Sequence, residues 1–489
     1  MGNKIWKRSN LVKTVNYLKK NGVRHAYYAA RERLEEERKT DYFYLEPSAA
    51  ALQAQREETA GYPYLFSIVV PAYETKESFL REMIDSVCRQ SYAGWELIIV
   101  DAGSSDTVER IVRAAALRDE EERTKSRIIY RKAEHNRGIS GNTNIGIQEA
   151  RGEYIALLDH DDCLAPDALY HMAQTVRKAQ DNKITPVLIY TDEDKFEGEA
   201  AMSVDGRADL YSYVSPHYKM EFNLDLILSN NYICHFMAVE ADLMKNLQLR
   251  SEYDGAQDYD LVLRVVGELY ERMSVCALSE RIVHIPRILY HWRCHADSTA
   301  ENTASKSYAY EAGRAALGDF CKRRGWQVRI AHSLHLGFYD IDYVPELLAV
   351  RSNVGIVGGR ILDGQGRICG GGMDQDGRCL YEGLHREYSG GSTHRAALKQ
   401  DVAAADIRCM QVGPGLQEEF AHITGLPYRE RVIHCRERGS GRDSEMRIAD
   451  LSGLSCDEAG YRKLSMELSR AARKRGYLVV WNPELTIRI

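Results

Sequence analysis

Tyr154-Ile155-Ala156-Leu157-Leu158 runs straight into Asp159-His160-Asp161-Asp162. A short unbroken apolar run of this kind suits a buried central strand of a parallel sheet. Carboxylates crowded at the end of such a strand repel one another, which costs free energy unless a cation or a bound partner needs them there. The other reading is a solvated turn whose acids cap a helix opening at Pro166, with Asp162 as the cap.

Bulk properties narrow the choice. A chain of 489 residues with 44% hydrophobic and 28% charged residues should be globular, with two or three domains. A formal net charge of −6 does not support nucleic-acid binding. The 11 cysteines are scattered without a Cys-x-x-Cys pair, which argues against a disulfide framework or structural zinc and for a reducing compartment. No apolar segment follows the basic start Lys4-Ile5-Trp6-Lys7-Arg8, and no run is long enough to span a membrane. The expectation is a cytoplasmic protein, with peripheral contact at the inner face of the cell membrane left open by the basic first 20 residues.

Residues 1–60 read as a charged helical region. Leu11, Val15 and Leu18 have helical spacing, Asn21-Gly22 is a stop, and a second helix runs from His25 to Lys39. Its charge run is a solvated face or a docking arm. From Gly61 the texture changes. Strands are expected at Leu65–Val70, Trp95–Val100, Arg127–Tyr130, Tyr154–Leu158 and Pro186–Tyr190. Helices alternate with them: one capped by Thr75, one over about 106–117, one ending at Ala150 after the loop Asn136–Asn142, and one opening with Pro166 at its first position. Alternation of this kind predicts an α/β fold with a mostly parallel sheet and helices on both faces. Ligands then bind beyond the carboxyl ends of the strands. Four such ends carry polar or acidic clusters: Tyr73-Glu74, Asp101 to Asp106, Asp159 to Asp162, and Asp192 to Asp194. One shared site explains them together.

An Asp-x-Asp pair suits a hard cation, Mg²⁺ or Mn²⁺, that takes a few carboxylates and completes its shell with water and phosphate oxygens. Neither a P-loop nor a Gly-x-Gly-x-x-Gly turn follows the first strand, so a P-loop ATPase or dinucleotide oxidoreductase is not supported. Asp258 lies at or just before a helix start; on its residues alone it is equally a cap or a general base. Arg293, His291 and His295 end a strand in a basic loop, fitting phosphate or metal contacts or else a packed Trp292 with surface histidines.

These pieces, in order, resemble a known family. Ser67-Ile68-Val69-Val70-Pro71-Ala72-Tyr73-Glu74, Val100 to Asp106, Asn136-Arg137-Gly138, Gly152 to Asp162, Gln257 to Leu261, and His284-Ile285-Pro286 through Thr299 are similar to family-two inverting glycosyltransferases of GT-A fold. The resemblance covers residues 64 to about 325 and is nearest to the type that builds bacterial surface polysaccharides. It implies a mixed, mostly parallel GT-A sheet. It implies nucleotide binding by Pro71, Ala72, Tyr73, Glu74, Asp101, Ser104, Asp106, Asn136, Gly138 and Asp159. Asp159, Asp161 and His295 would hold Mn²⁺ or Mg²⁺, His291 and Arg293 would lie in a loop over the diphosphate, and Asp162, Asp192 and Gln257 would face acceptor or donor sugar. Asp258 would be the catalytic base. The implied donor is a UDP- or dTDP-sugar, and the implied acceptor a glycan or lipid-linked glycan; a homodimer stays open.

The resemblance divides the chain into residues 1–60, a catalytic domain at 61–325 and a smaller α/β module at 326–489. That last part resembles only the later half of a second transferase module. Tyr339-Asp340-Ile341-Asp342 echoes the Asp-x-Asp strand, and Val354–Leu362 and Tyr477–Pro483 echo later strands, but the nucleotide-binding strands are missing. The module is therefore expected to be degenerate, with Asp340 and Asp342 structural. Two other readings compete with an active enzyme: a non-catalytic scaffold in polysaccharide assembly, and a sugar-phosphate nucleotidyltransferase.

Overall fold

The structure is a computed structural model that describes residues 8–37, 42–121, 126–197, 212–294, 307–436 and 443–489. The chain opens with α1 (Arg8–Glu37), which breaks at Gly22 (φ 78°, ψ 170°). The stop expected at Asn21-Gly22 is therefore a kink, at a backbone conformation that glycine adopts without penalty. Residues 42–48 have no regular secondary structure, and Ser48 caps α2 (Ala49–Glu58) by accepting from the Ala51 N–H.

Among the described residues nine strands form one sheet. They are β1 (Phe66–Ala72), β2 (Trp95–Asp101), β3 (Ile128–Lys132), β4 (Tyr154–Leu157), β5 (Cys163–Leu164), β6 (Leu188–Glu197), β7 (Ser212–His217), β8 (Met237–Glu240) and β9 (Ile282–Cys294). The order is β3-β2-β1-β4-β8-β6-β9-β5, with β7 on β6. The β3, β2, β1 and β4 neighbours are parallel, as are β6 and β9, while β8, β5 and β7 run the other way. Helices α3 (Glu77–Cys88), α4 (Thr107–Glu121), α5 (Gly138–Glu149), α6 (Ala168–Asp181), α7 (Leu224–Ile227), α8 (Ala241–Leu247), α9 (Gln257–Arg272), α10 (Leu278–Arg281) and α11 (Ser307–Arg323) connect and cover it.

The strands explain why both faces are covered. Side chains alternate along a strand, so Ile68 and Val70 bury against α3, α4 and α6, while Val69 turns to the face carrying α5, α8, α9 and α11. Leu97 and Ile99 divide from Ile98 and Val100 in the same way. A run apolar at every position, buried throughout, is what a two-sided sheet needs.

Four local expectations are corrected. Thr75 does not cap α3: Lys76 stands at the cap position, and the Thr75 hydroxyl is buried without a partner. Pro166 lies two residues ahead of α6, in a turn whose carbonyl accepts from the Ser91 N–H. The acids Asp192 to Asp194 sit inside β6 rather than after it, because the ladder with β9 continues past a bulge to Glu197. His291 and Arg293 lie in β9, where that same ladder holds them, and not in a loop.

Beyond α11 the chain forms β10 (Val328–His332), β11 (Tyr339–Tyr343), α12 (Leu347–Val350), β12 (Val354–Leu362), β13 (Ile368–Gly370), β14 (Gly372–Met373), β15 (Gln400–Asp401), β16 (Ala404–Ala405), β17 (Met410–Val412), α13 (Gln417–Thr424), β18 (Glu430–Arg436), β19 (Asp443–Ala449), α14 (Glu458–Lys474) and β20 (Leu478–Arg488). The Asp-Ile-Asp stretch lies in β11, which pairs antiparallel with β10 in a two-stranded hairpin. β12 and β20 are parallel neighbours at the centre of a second sheet. One apolar cluster runs from Val69 in β1 through α9 and α11 to Val354, Val357 and Leu485, so the two sheets share a core.

A buried polar seam reinforces this. Arg351 donates to Asp225 at 2.5 Å and lies over the Trp326 ring. Asn223 exchanges hydrogen bonds with the Asp401 backbone, at 2.8 and 2.9 Å. The segment that leads from Asn223 towards the cleft is thereby held from behind by the C-terminal part.

Candidate active site

The cleft opens at the carboxyl ends of β1, β2 and β4. Past β1, Glu74 takes a left-handed backbone (φ 47°) and accepts from the Ser104 N–H and hydroxyl at 2.9 and 3.0 Å. Those two donors hold its carboxyl below the usual range. Asp101 is fully buried and accepts from the Gly103 N–H, the Tyr130 hydroxyl and Lys132 at 2.8 to 2.9 Å. Its carboxylate organises the Gly103–Asp106 loop. Pro71 and buried Ala72 end β1, Tyr73 is 52% exposed beside them, and Ser104 and Asp106 are exposed. Asn136 accepts from the Gly138 N–H at 3.0 Å where α5 begins.

After β4, the acids part company. The Asp159 side chain is 45% exposed and that of Asp161 20%, whereas Asp162 is buried. Asp162 accepts from the Arg293 N–H at 2.7 Å and from the Tyr290 hydroxyl. Protein around the cleft still desolvates Asp159 enough to raise its pKa; His235 opposes this, and the charges of Asp161 and Asp258 add to it. Asp159 therefore feels the charge of both other carboxylates.

Opposite them stands the segment 231–235. Asn231 donates to Asp258 at 2.9 Å, in the first turn of α9. His235 places Nε2 3.9 Å from Asp159 and stacks on Tyr290. Its N–H donates to Glu193 at 2.6 Å, and Nδ1 lies 3.3 Å from the same carboxylate. Burial opposes a charge on His235, yet Glu193, with Asp159 and Asp162, raises its pKa to about 9. Glu193 is in turn held by His217 at 3.2 Å and by Lys219.

Two ends of the cleft are tied together. Asp254, just before α9, accepts from Ser140 Oγ at 2.5 Å and from its N–H at 3.3 Å, at the start of α5. Gly138 leaves room for that carboxylate, since a Cβ there would lie 2.6 Å from Asp254 Oδ2.

Several expected residues are placed elsewhere. Asp162 faces inward to Tyr290 and Arg293, not to a sugar. Asp192 is buried, accepting from the Lys219 N–H at 2.8 Å and lying 2.7 Å from His284 Nε2. Gln257 turns back to accept from the Gly255 N–H. His291 is buried 2.6 Å from Asp194. Arg293 is buried and donates to Glu82 and to the Asp161 carbonyl, both at 2.6 Å, so it braces the acidic turn from within. His295 lies outside the described residues. The residues not foreseen are Asn231, Cys234, His235, Lys219, Asp254 and, as an individual, Glu193. The pair Cys234-His235, inside an otherwise apolar run from Tyr232 to Val239, is the one sequence signal that points there.

The order and sense of the strands, with the polar rim at the ends of β1, β2 and β4, are those of the mixed, mostly parallel GT-A sheet. Residues 67–247 match the family described as Glycosyl transferase family 2. An uncharacterized protein, y4gI, of Sinorhizobium fredii is 40% identical over 263 residues, 53% of this chain and 26% of its own. O-antigen biosynthesis protein RfbC of Myxococcus xanthus is 33% identical over 53% of this chain and 18% of its own. The chain thus spans about a quarter or less of those two relatives. The putative colanic acid biosynthesis glycosyl transferase WcaA of Escherichia coli is 30% identical over 45% of this chain and 72% of its own. This chain belongs to glycosyl transferase family 2. Among solved structures, S. aureus TarS 1-349 in complex with UDP-GlcNAc has a TM-score of 0.36 at 18% identity, covering 52% of this chain and 65% of that one. A mannosyltransferase from Pyrobaculum calidifontis in complex with GDP-Man and Mn²⁺ has a TM-score of 0.34 at 14% identity, covering 64% and 84%.

Proposed function

We propose that the protein is a metal-dependent inverting glycosyltransferase that moves a sugar from a nucleoside-diphosphate donor to a hydroxyl of a growing or lipid-linked glycan in bacterial surface-polysaccharide synthesis. The observation that carries it is the placing of Asp258 opposite Asp159 and Asp161 across His235. The polysaccharide context follows from the relatives named for O-antigen and colanic acid synthesis.

Asp159 and Asp161 fit a hard cation: they are partly open, adjacent and mutually repelling. A divalent cation bound there would neutralise charge on the donor diphosphate. The chain's own residues do the rest. The rim formed by Tyr73, Glu74 and the Gly103–Asp106 loop would seat the nucleotide. Asp258, oriented by Asn231, would take the proton of the acceptor hydroxyl as its oxygen attacks the anomeric carbon from the face opposite the departing diphosphate. The configuration at that carbon inverts.

No helix among the described residues is long and apolar enough to cross a membrane. We place the work in the cytoplasm, at the inner face of the membrane where a lipid-linked acceptor would lie. Residues 326–489 would serve the acceptor side, since they hold the Asn223–His235 segment from behind. A thermal-shift screen of nucleotide sugars with and without Mn²⁺ tests the reading, because a ligand of the folded state alone raises the melting temperature. Manganese-dependent stabilisation by a UDP- or dTDP-sugar, followed by its turnover with an acceptor glycan, is expected. Silence of every donor in both measurements would overturn it.

A further inference from the structure

Cys234 and His235 follow one another at the cleft wall, and Asp258 faces them from the first turn of α9. The Cys234 Sγ, one His235 ring nitrogen and one Asp258 carboxylate oxygen lie within 4.8 Å of one another, and all three residues are partly exposed. No other set of three histidine, cysteine or acidic side chains converges this way among the described residues. The surroundings favour a cation, with Asp159 3.9 Å from His235 Nε2 and Glu193 on the ring's other side.

This donor set differs in kind from the Asp159-Asp161 corner. Carboxylates and water suit Mg²⁺ or Mn²⁺, whereas thiolate with imidazole and carboxylate suits Zn²⁺. Zinc bonds of 2.0 to 2.3 Å require the three ligand atoms to close in by about 1 Å, which side-chain rotation can supply.

We propose that Cys234, His235 and Asp258 form a second metal site, selective for zinc-class cations, whose occupation withdraws Asp258 from the acceptor hydroxyl. Binding displaces the protons held by the thiol and imidazole to solvent and moves no electrons. The site itself stands on the cluster's geometry; only its inhibitory consequence rests on the reading of Asp258 as base.

The test is titration of the metal-free 489-residue chain with Co²⁺, whose near-ultraviolet charge-transfer band reports a thiolate ligand. A saturable band of one equivalent is expected, displaced by Zn²⁺, kept in Cys88→Ser and lost in Cys234→Ser. Asp258→Asn, which keeps the thiol, should weaken cobalt binding by about tenfold or more, the scale seen when metal-site support is removed. No band, or a band that survives Cys234→Ser, overturns the site. In a transfer assay run on Mn²⁺, Zn²⁺ should inhibit the wild type about tenfold more strongly than Cys234→Ser; equal inhibition overturns the regulatory half. A chain without transfer activity would still show or lack the cobalt band, so failure of the transferase reading is seen separately.

Discussion

The guanidinium of Arg351 and the carboxylate of Asp225 meet at 2.5 Å inside the seam between the two sheets, both with almost no exposed surface. Removing one partner strands a buried charge. Arg351→Ala should therefore cost about 3–5 kcal/mol in denaturant unfolding. One oxygen of Asp225 and one Nη of Arg351 lack partners, so the pair is incompletely satisfied. Asp225→Leu combined with Arg351→Met should recover most of the loss; a double variant as unstable as the single one would refute this account.

The same seam should respond to pH. Burial pushes the Asp401 carboxyl well above its usual range, and neighbouring Asp225 adds to the shift. A carboxyl raised in the folded state holds its proton more tightly there than in the unfolded chain. Its stabilising contribution is full below the unfolded value of about 3.9 and falls as pH rises through the folded value. The melting temperature of wild type relative to Asp401→Asn should decline as pH rises above about 4. Parallel profiles for the two proteins would remove Asp401 from the balance.

Asp258 and Asp161 should fail in different ways. Asp258→Asn keeps Mn²⁺-dependent donor binding and loses transfer by about 10²–10⁴-fold, the usual contribution of a placed base. Asp161→Ala weakens the Mn²⁺-dependent binding itself. Calorimetry of donor binding beside a turnover assay separates the two, and an Asp258→Asn protein as active as wild type would exclude the base role.

Gly138 should be intolerant of a side chain. Its φ of +75° disfavours any L-residue by about 1–2 kcal/mol, and a Cβ would press on the Asp254 carboxylate. Gly138→Ala should lose at least that stability in urea unfolding and raise the KM for donor. An unchanged urea midpoint would show that Asp254 moves aside freely.

Much of the first sheet was legible because its strands are apolar at every position and end in polar turns. Phe66–Ala72, Trp95–Asp101 and Tyr154–Leu157 lie where their patterns place them. What misled was long-range pairing. Asp192 to Asp194 look like a strand end, yet His284 and His291 on β9 supply partners that let the acids stay within the ladder. Arg293 looks like the cation of a phosphate-binding loop, yet Glu82, far away in sequence, pairs with it and lets it be buried. His235 is hard to single out in the sequence for a related reason: what distinguishes it is Glu193 on one side and Asp159 on the other, and neither is near it in the chain. The Asp-Ile-Asp echo has the spacing of Asp159 and Asp161 but belongs to a hairpin, since β10 rather than a parallel neighbour lies beside it.

The shared core from Val69 to Leu485 bears on how such a protein could be re-engineered. A chimera joined near residue 325 would cut through packed side chains and leave Arg351's partner in the other parent. Residues 326–489 and the segment that starts at Asn223 are best exchanged as one cassette or left in place together, because the Asn223–Asp401 and Asp225–Arg351 contacts join them.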